Sequence, residues 1–196
     1  MKRNYPGTLF LVVGNSGSGK DSLIYGLSNK YPSNLRQLHI VRRYITRPPS
    51  ETELNYSVTP DEFKNLENQE KFALKWHIYG LDYGVPIEID NWLKEGHPVI
   101  VNVSRTIVKE ANERYGNIKT IFVDVPFEIT LQRVQERGRE SGDLLDERIE
   151  RARKSQKYPE ADFIVDNSGK LEDAINQLLN YVIKVIKESG NIRKIE

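Results

Sequence analysis

Short apolar runs alternate with longer amphipathic segments along this chain, which predicts strands that are separated by helices. Strands are predicted at residues 8–13, 38–41, 72–78, 99–103, 120–123 and 163–165. Helices are predicted at residues 20–30, 86–95, 105–115, 127–137, 146–157 and 171–187, and one more begins at Thr59, the predicted cap, with Pro60 in the first turn. The last helix is predicted to have one apolar face, formed by Ile175, Leu178, Leu179, Val182 and Ile186. Strand runs with few polar residues suit a parallel sheet that is covered on both faces. The pattern therefore predicts an α/β fold in which ligands bind beyond the carboxyl ends of parallel strands.

The predicted elements between about residues 43 and 96 are short and rich in tyrosine, arginine and threonine. Two prolines, Pro48 and Pro49, stop regular structure, and the segment from Gly80 to Gly84 is predicted to be a loop. We expect this region to form an inserted binding lobe within a single domain of 196 residues. The other expected ranges are a core at about 1–42, 97–132 and 158–196 and an arginine-bearing lid at about 133–157.

A glycine-rich segment, residues 14–20, joins the first predicted strand to the first predicted helix. Three glycines let consecutive backbone N–H groups point toward one phosphate, and the following helix presents unpaired N–H groups and the positive end of its dipole. Lys20 adds a candidate catalytic cation that can reach the outer phosphates. This spacing predicts a P-loop rather than a glycine-rich turn that binds nothing. The residues predicted to bind ATP here are Gly14, Asn15, Ser16, Gly17, Ser18, Gly19, Lys20, Asp21 and Ser22.

Asp21 stands where a P-loop normally has the serine or threonine that binds Mg²⁺, and Ser22 follows one residue later. An acidic residue in the first turn of a helix is favourable by itself, because it faces the positive end of the dipole. Beside a triphosphate, however, a carboxylate repels the ligand unless a divalent cation lies between them. We therefore expect Asp21 to help to hold Mg²⁺.

Charge balance, cysteine content and the length of the apolar runs exclude several classes of function. The 29 basic and 28 acidic residues give a net charge of +1, so nothing global points to nucleic acid or to a membrane surface, and any anion binding is local. The chain has no cysteine, which excludes disulfides and thiolate metal sites and suits a reducing compartment. Its apolar runs are too short for a signal peptide or a transmembrane span. We expect a soluble, cytoplasmic protein, and a homodimer is left open.

The region around the expected lid carries six arginines. They are Arg133, Arg137, Arg139, Arg148, Arg151 and Arg153. Because Gly138 lies between two of them, this stretch suits a mobile flap that closes over a phosphoryl group, excludes water and neutralises transition-state charge. Arg137 and Arg148 are therefore candidate catalytic residues. For Arg151 and Arg153, a solvated helix with intrahelical ion pairs is the favoured interpretation.

A second basic cluster precedes and follows the paired prolines. Its members, Arg43, Thr46, Arg47 and Tyr56, suit recognition of a second phosphate, with an exposed basic loop as the alternative. The aromatic residues Trp76, Tyr79 and Tyr83 that follow are explained equally by core packing, and a lone His77 is more often structural than catalytic.

Asn102 and Ser104 end the central predicted strand, where a kinase of this build often has a metal-orienting aspartate. The carboxylate is absent there and present at Asp21. This exchange suggests that the one negative charge near the metal has moved from one side of the site to the other.

Taken together, these motifs resemble the guanylate kinase family over nearly the whole chain. The motifs that carry the resemblance are the P-loop, Thr46-Arg47-Pro48, Asp61-Glu62-Phe63, Tyr83-Gly84 and Arg137-Gly138. More closely, the chain resembles the ribose 1,5-bisphosphate phosphokinases of phosphonate metabolism, through a set that includes the unusual Asp21 and Asn102. Further members of that set are Arg43-Tyr44-Ile45-Thr46-Arg47, Trp76-His77, Tyr83-Gly84-Val85, Glu88-Ile89-Asp90, Trp92-Leu93 and Ser104-Arg105.

Two positions depart from the guanylate kinase pattern. Lys75 replaces a glutamate that contacts the guanine edge in that family, and Val85 replaces a serine that also contacts guanine. Losing a hydrogen-bonding carboxylate and hydroxyl weakens base recognition, whereas the phosphate-binding Arg47, Tyr56 and Tyr83 remain. This combination fits a sugar phosphate better than a nucleotide.

The resemblance implies a guanylate kinase-like P-loop NTPase fold with a parallel central sheet. It also implies that ATP, with Mg²⁺, phosphorylates ribose 1,5-bisphosphate to give 5-phosphoribosyl 1-diphosphate and ADP. The implied acceptor-binding residues are Arg43, Thr46, Arg47, Tyr56, His77, Tyr83, Asn102, Ser104 and Arg105, and ATP is also expected to contact Arg133 and Asn167. Two alternatives stay open: a nucleoside monophosphate kinase that acts on guanylate, and a non-catalytic guanylate kinase-like module that binds proteins.

Overall fold

The computed structural model of this chain describes residues 2–49, 55–137 and 142–190. In chain order the strands are β1 (Leu9–Gly14), β2 (His39–Ile40), β3 (Tyr44–Ile45), β4 (Tyr56–Ser57), β5 (Phe72–Ile78), β6 (Leu81–Pro86), β7 (Val99–Asn102), β8 (Ile118–Asp124) and β9 (Phe163–Asp166). The helices are α1 (Lys20–Lys30), α2 (Pro60–Asn68), α3 (Ile89–Lys94), α4 (Val108–Arg114), α5 (Phe127–Arg137), α6 (Asp143–Lys154) and α7 (Leu171–Glu188), and a 3-10 turn, Arg105–Ile107, directly precedes α4.

Five strands form a fully parallel sheet in the order β2-β7-β1-β8-β9. β1 lies in the centre of this sheet, and its residues 9–13 are completely buried. Because both faces of β1 are covered, its sequence is a continuous apolar run rather than an alternating one. The predicted α/β fold with a parallel central sheet is therefore confirmed.

Each face of the sheet packs against its own hydrophobic cluster. On one face, Phe10 and Val12 of β1 lie in a cluster with Leu23 of α1 and Leu178 of α7. On the other face, the alternating residues Leu9, Leu11 and Val13 cluster with residues of α3, β7 and α4. The strand period of two thus assigns neighbouring side chains of β1 to opposite layers. This packing holds the carboxyl end of β1, where the glycine-rich segment begins, at the centre of the molecule.

The predicted apolar face of the last helix is confirmed in α7. Ile175, Leu178, Val182 and Ile186 are buried, and Leu179 is half-buried against the same cluster. These residues repeat at the helical spacing that keeps them on one side.

A second sheet, in the order β4-β3-β6-β5, forms the lobe between the two parts of the core. The prediction of a loop from Gly80 to Gly84 is wrong, because β6 begins at Leu81 and pairs antiparallel with β5. Gly84 lies inside this strand rather than in a turn. A Cβ on Gly84 would lie 2.5 Å from the ring of Phe72, so the glycine is required there for close packing.

Several helix boundaries also differ from the predictions. Helix α3 is shorter than the predicted range 86–95, because Val85 and Pro86 still belong to β6. The predicted helix at 105–115 begins as a 3-10 turn, a common start for a helix. Helix α6 occupies Asp143–Lys154 rather than 146–157; Gly142, with a φ of 60°, precedes its first turn.

Some predictions are confirmed locally, and others lie outside the described residues. Thr59 caps α2 as predicted: its hydroxyl accepts from Glu62 N at 3.2 Å, and its own N–H donates to Glu62 Oε2 at 2.7 Å. The hinge residue Gly138 and Arg139 lie outside the described residues, as does the side chain of Arg137. Within the described ranges, the helices lack the combination of length and apolar character that crossing a membrane requires.

Candidate active site

A cavity of about 570 Å³ opens at the carboxyl ends of β1 and β7. Three parts of the chain line it: the glycine-rich segment with the start of α1, the lobe, and the helices α5 and α6. Its lining residues are Gly14, Asn15, Ser16, Gly17, Gly19, Lys20, Asp21, Ser22, Arg43, Arg47, Trp76, Ile78, Tyr79, Tyr83, Asn102, Val103, Ser104, Arg105, Arg133, Glu136, Arg148, Arg151 and Ala152. The structure thus brings most of the predicted site residues around one space.

The glycine-rich segment has the backbone of a phosphate cradle. Gly17 and Gly19 have φ values of 82° and 84°, which residues with a Cβ rarely adopt. A Cβ on Gly17 would lie 2.8 Å from the carbonyl oxygen of Thr130, and one on Gly19 would lie 2.6 Å from Asn167 Nδ2. Both the backbone conformation and the packing therefore require glycine at these positions.

Helix α1 begins directly after Gly19, which has no side chain to cap it. The first N–H groups of α1 consequently keep their capacity to bind an anion. Lys20 Nζ lies beside them and donates to the carbonyl oxygens of Gly14 at 2.9 Å and Asn15 at 2.8 Å. These two hydrogen bonds hold Lys20 against the glycine-rich segment, where a phosphate would compete with the carbonyl oxygens for the ammonium group.

Asp21 and Asn102 meet inside the cavity. Asn102 Nδ2 donates to Asp21 Oδ1 at 2.8 Å, and Arg43 Nη2 lies 3.7 Å from the same oxygen. Asn102 comes from the end of β7, which runs next to β1, whereas Asp21 comes from the first turn of α1. The two positions that were predicted to lie on opposite sides of the site are therefore adjacent.

Side-chain hydrogen bonds connect α6, and Ser155 directly after it, to the glycine-rich segment. Arg148 Nη1 donates to Ser16 Oγ at 3.0 Å, and Asn15 Nδ2 donates to the carbonyl oxygen of Ala152 at 3.3 Å. Arg105 links the same parts, since Nη2 donates to Asn15 Oδ1 at 3.0 Å and Nη1 donates to the Ser155 carbonyl oxygen at 2.7 Å. These bonds place α6, and with it two arginines, against the phosphate cradle.

Arg105 was predicted to contact the acceptor, but much of its hydrogen-bonding capacity holds this junction together. Its guanidinium also lies over the rings of Phe122 and Tyr158, at 4.7 Å and 5.7 Å from their centroids. Burial lowers the pKa of Arg105, and the neighbouring Arg151 acts in the same direction. The side chain lines the cavity, so it adds positive charge there while it positions Asn15.

Two residues that were predicted to contact ATP lie behind the cradle rather than in the cavity wall. Ser18 and Asn167 are both buried, and Asn167 Nδ2 donates to the carbonyl oxygen of Ser18 at 2.8 Å. Arg133 does line the cavity, and its Nη2 donates to the Asn167 carbonyl oxygen at 3.4 Å. Asn167 therefore supports the loop from beneath, and its contact with ATP stays a prediction.

The lobe supplies the wall that faces the cradle. Trp76 and Tyr83 are paired across β5 and β6, and their rings stack with centroids 5.2 Å apart and planes 4° apart. Ile78 lies on the same face of β5 as Trp76, while Arg43 and Arg47 bring two guanidinium groups into the cavity. This wall is apolar with two cations, which suits an acceptor with phosphate groups on a compact frame.

Three predicted acceptor residues do not line the cavity. The Thr46 hydroxyl accepts from Asp82 N at 2.8 Å, inside the lobe. His77 Nδ1 lies 2.6 Å from Asp82 Oδ1, and the side chain is largely exposed. Tyr56 is 41% exposed on the edge strand β4, with Arg42 over its ring. Their roles in acceptor binding stay predictions, without support from this arrangement.

The cavity also includes residues to which the sequence had assigned no role in it. Arg151 was interpreted as part of a solvated helix, but it lines the cavity next to Arg148. Tyr79 was explained as core packing, yet its ring lies beneath both arginines. The spacing of three residues between Arg148 and Arg151 could have indicated a shared helix face; nothing in the sequence indicated which way that face points.

Positive charge dominates the cavity. Among its lining residues are seven basic side chains, Lys20, Arg43, Arg47, Arg105, Arg133, Arg148 and Arg151, and two acidic ones, Asp21 and Glu136. Charges that converge in a cleft attract anions more strongly than the same charges on an open surface. The cavity is therefore strongly basic, although the net charge of the whole chain is only +1.

The oxygen donors beside the cradle fit Mg²⁺. The Asp21 carboxylate is 45% exposed, and it lines the cavity together with Ser22. Mg²⁺ is usually held by one or two carboxylates, substrate phosphates and waters rather than by a complete protein cage. The described residues contain no group of three or more His, Cys, Asp or Glu placed to hold a metal ion alone.

Neither of the two positions that differ from the guanylate kinase pattern contributes to the cavity lining. Val85 is completely buried in the core cluster beneath the sheet. Lys75 forms an ion pair with Glu67 of α2, and it does not line the cavity. The cavity wall therefore has no side chain from either position with which to recognise a base.

Comparisons with known proteins agree with this geometry. The family model described as guanylate kinase matches residues 7–185. The chain is 39% identical over 178 residues to a protein from Pseudomonas paraeruginosa that is named ribose 1,5-bisphosphate phosphokinase PhnN, which covers 90% of this chain and 95% of that protein. A protein of the same name from Enterobacter lignolyticus is 37% identical over 188 residues, or 94% of each chain. The crystal structure of guanylate kinase from Anaplasma phagocytophilum has the same fold, with a TM-score of 0.64 at 15% identity over 92% of this chain and 87% of that one.

Proposed function

We propose that this chain, which belongs to the guanylate kinase family and within it to the ribose 1,5-bisphosphate phosphokinases, transfers the γ-phosphoryl group of ATP to ribose 1,5-bisphosphate. The acceptor atom is an oxygen of the 1-phosphate, and the products are 5-phosphoribosyl 1-diphosphate and ADP. One new P–O bond forms at the γ-phosphorus as its bond to the bridging oxygen of ADP breaks.

The basic character of the cavity carries this proposal. Seven basic side chains surround the space between the phosphate cradle and the lobe. ATP and a sugar bisphosphate together bring five phosphate groups into the cavity. With a nucleoside monophosphate in place of the bisphosphate, the total would be one fewer. At the same time, Lys75 is paired with Glu67 and Val85 is a buried apolar side chain. Neither lines the cavity, so a base edge would meet no polar partner from these positions. A buried base without partners is strongly disfavoured.

The acceptor requires no general base. The second pKa of a phosphate monoester is about 6, so the attacking oxygen is already largely ionised near neutral pH. The work of the protein is therefore to align two anions that repel each other and to neutralise the charge that they share. We assign alignment of the acceptor to Arg43 and Arg47 and charge neutralisation at the transferred group to Lys20, Arg148 and Arg151.

Asp21 and Ser22 are the residues that would hold Mg²⁺ in this site. When bound, the ion supplies positive charge beside the β- and γ-phosphates. Asn102 donates to Asp21 Oδ1 and therefore orients the carboxylate without adding a second negative charge beside the phosphates. We place the reaction in the cytoplasm, where ATP is present and where a chain without cysteine meets a reducing environment.

A direct substrate comparison tests the proposal. ADP release is measured with excess ATP and Mg²⁺ in the presence of ribose 1,5-bisphosphate or of GMP, and the sugar product is identified by phosphorus NMR. We expect turnover with the bisphosphate and little with GMP. Strong GMP turnover without turnover of the bisphosphate would replace this proposal with guanylate kinase activity.

The non-catalytic alternative is tested by nucleotide binding. A protein-binding module has no need for a functional P-loop, whereas this chain has the glycines at positive φ and Lys20 in contact with the cradle. We expect calorimetry to detect ATP binding in the presence of Mg²⁺. A protein that is folded but binds no ATP would favour the non-catalytic alternative.

A further inference from the structure

Tyr79 is part of the lobe, but its ring contacts the helix on the other side of the cavity. The Cζ atom of Arg148 lies 4.2 Å from the ring centroid, and that of Arg151 lies at 5.7 Å. Arg148 in turn donates to Ser16 Oγ of the glycine-rich segment. A continuous line of contacts therefore joins the acceptor side of the cavity to the phosphate cradle.

The backbone at Tyr79 is unfavourable for an aromatic residue. Tyr79 and Gly80 form the two-residue turn between β5 and β6, because Ile78 pairs with Leu81. Their φ values are 54° and 69°, the left-handed region that such turns require and that asparagine or glycine normally occupies. A side chain with a Cβ and a large ring is disfavoured there. Residues held in such conformations concentrate at functional sites.

The surroundings of the ring suit contact with cations. Burial raises the pKa of Tyr79, although both arginines act against that change. The ring is therefore neutral near pH 7, and a neutral aromatic face attracts a guanidinium group through its quadrupole. This attraction lets two like-charged arginines lie near each other above one ring.

We propose that Tyr79 is a positioning residue, whose ring holds Arg148 and Arg151 at the phosphate cradle when the lobe and α6 face each other. The arginines then reach the transferring phosphoryl group only while the acceptor side of the cavity is in place. This inference rests on the proposed function for the identity of the acceptor, but the contacts themselves do not depend on it.

Two substitutions separate the ring from the turn. Tyr79→Asn removes the ring and introduces the residue that the turn conformation prefers, so we expect the melting temperature to stay the same or rise. We expect its kcat with ATP and ribose 1,5-bisphosphate to fall by about 10- to 100-fold, the size of loss that a misplaced catalytic group produces. The KM for ATP is expected to stay close to that of the unsubstituted protein. Tyr79→Phe keeps the ring face, so it is expected to keep most of the kcat of the unsubstituted protein.

Glu70→Asn is the matched control. Glu70 has a φ of 55° in the turn between α2 and β5, is exposed and lies outside the cavity lining. This substitution relieves the same kind of backbone strain, so it is expected to raise the melting temperature without a change in kcat.

Hydrogen exchange provides a readout that does not require the acceptor. With Mg²⁺ and a non-hydrolysable ATP analogue bound, amides of α6 are expected to exchange faster in Tyr79→Asn than in Tyr79→Phe. If the unsubstituted protein does not use ribose 1,5-bisphosphate, the proposed function fails and this exchange measurement still decides the role of Tyr79.

Several results would overturn the inference. One is a Tyr79→Asn protein that keeps its kcat within about twofold, since the arginines would then not depend on the ring. A second is an equal loss of kcat in Tyr79→Phe, which would assign the effect to the hydroxyl. A third is a clearly lower melting temperature for Tyr79→Asn, which would make the ring a support of the lobe alone. Unchanged exchange in α6 would also contradict it.

Discussion

The two walls of the cavity are built in different ways. The phosphate wall comes from eight of the nine residues 14–22, since Ser18 lies behind it. Its character resides largely in the backbone, with Gly17 and Gly19 in conformations that expose N–H groups. The facing wall comes from residues spread between positions 43 and 83, and its character resides in side chains such as Arg47 and Trp76. It is the acceptor wall, because the proposed function assigns binding of the acceptor to it. Neighbours in the sequence thus form the phosphate wall, whereas the wall proposed to select the acceptor depends on distant residues that the lobe brings together.

The largest expected effect comes from the phosphate wall. Lys20→Met removes the charge but keeps the length of the side chain, and we expect kcat to fall by about 10²- to 10³-fold, as for other preorganised charge-stabilising groups. ADP release in the presence of both substrates measures the loss. Lys184→Met on the exposed surface of α7 is the control and should leave kcat unchanged. If kcat of Lys20→Met falls by less than tenfold, the arginines suffice to neutralise the charge of the transferred group, and Lys20 of the phosphate wall is not required for it.

A contact between the phosphate wall and the end of β7 gives the next effect. Asp21→Asn should lower kcat by on the order of 10²-fold and raise the Mg²⁺ concentration required, because the only carboxylate of the Asp21–Asn102 pair is lost. The double substitution Asp21→Asn with Asn102→Asp restores one carboxylate at a position 2.8 Å away in the original contact, and we expect it to recover part of kcat. Titration of Mg²⁺ at fixed ATP measures both. Unchanged Mg²⁺ dependence in the single variant would contradict a metal role for Asp21.

The acceptor wall is expected to control a different kinetic constant. Arg47→Lys keeps the charge but removes the planar fork that binds two phosphate oxygens at once. We expect the KM for ribose 1,5-bisphosphate to rise about tenfold, equivalent to about 1.4 kcal/mol, while the KM for ATP stays the same. Steady-state kinetics with each substrate varied in turn separates the two. Equal increases in both KM values would mean that Arg47 serves both walls.

The smallest effect concerns the back of the acceptor wall. Glu67 accepts from Lys64 Nζ at 2.7 Å and pairs with Lys75, and these hydrogen bonds lower the pKa of Glu67 to about 2. Because the folded-state pKa lies below the unfolded value, the associated stability is present above about pH 4.3 and is lost as the pH falls toward 2. Glu67→Gln removes this contribution, so its free energy of unfolding should fall less between about pH 5 and pH 3 than that of the unsubstituted protein.

Urea unfolding at several pH values measures this difference, which should be modest because Glu67 is close to solvent. Glu113→Gln, an exposed substitution on α4, is the control. If Glu67→Gln follows the same acid dependence as the unsubstituted protein, the hydrogen bonds from Lys64 and Lys75 to Glu67 do not contribute to stability.

The difference between the walls also explains which predictions succeeded. Strands with both faces buried are continuous apolar runs, so β1 and β7 were found from the sequence. The two-residue strands β3 and β4 were missed because they exist through pairing with distant residues rather than through a pattern of their own. Gly84 misled the prediction of the hairpin, since a glycine required for packing against Phe72 looks the same in a sequence as a glycine in a turn.

In the site, the same limit decided what could be predicted. Residues 14–22 were identified together because their chemistry depends on order along the chain. Tyr56, His77 and Thr46 have suitable side chains, but the structure places them outside the cavity lining. Tyr79 and Arg151 have side chains that core packing or solvent contacts explain equally well, so their presence in the cavity could not be inferred from residue type.

By itself, the sequence determined a parallel α/β core, a phosphate cradle with an unusual Asp21 and a basic content that is balanced over the whole chain. These properties depend on periodicity and on neighbours in the chain, which a sequence records directly. Only the tertiary structure decided that Asn102 bonds to Asp21, that seven basic side chains converge on one cavity, and that Tyr79 lies beneath Arg148 and Arg151. Those properties depend on which faces of separate helices and strands meet. Tertiary packing determines these contacts, and the local sequence pattern of each element does not specify them.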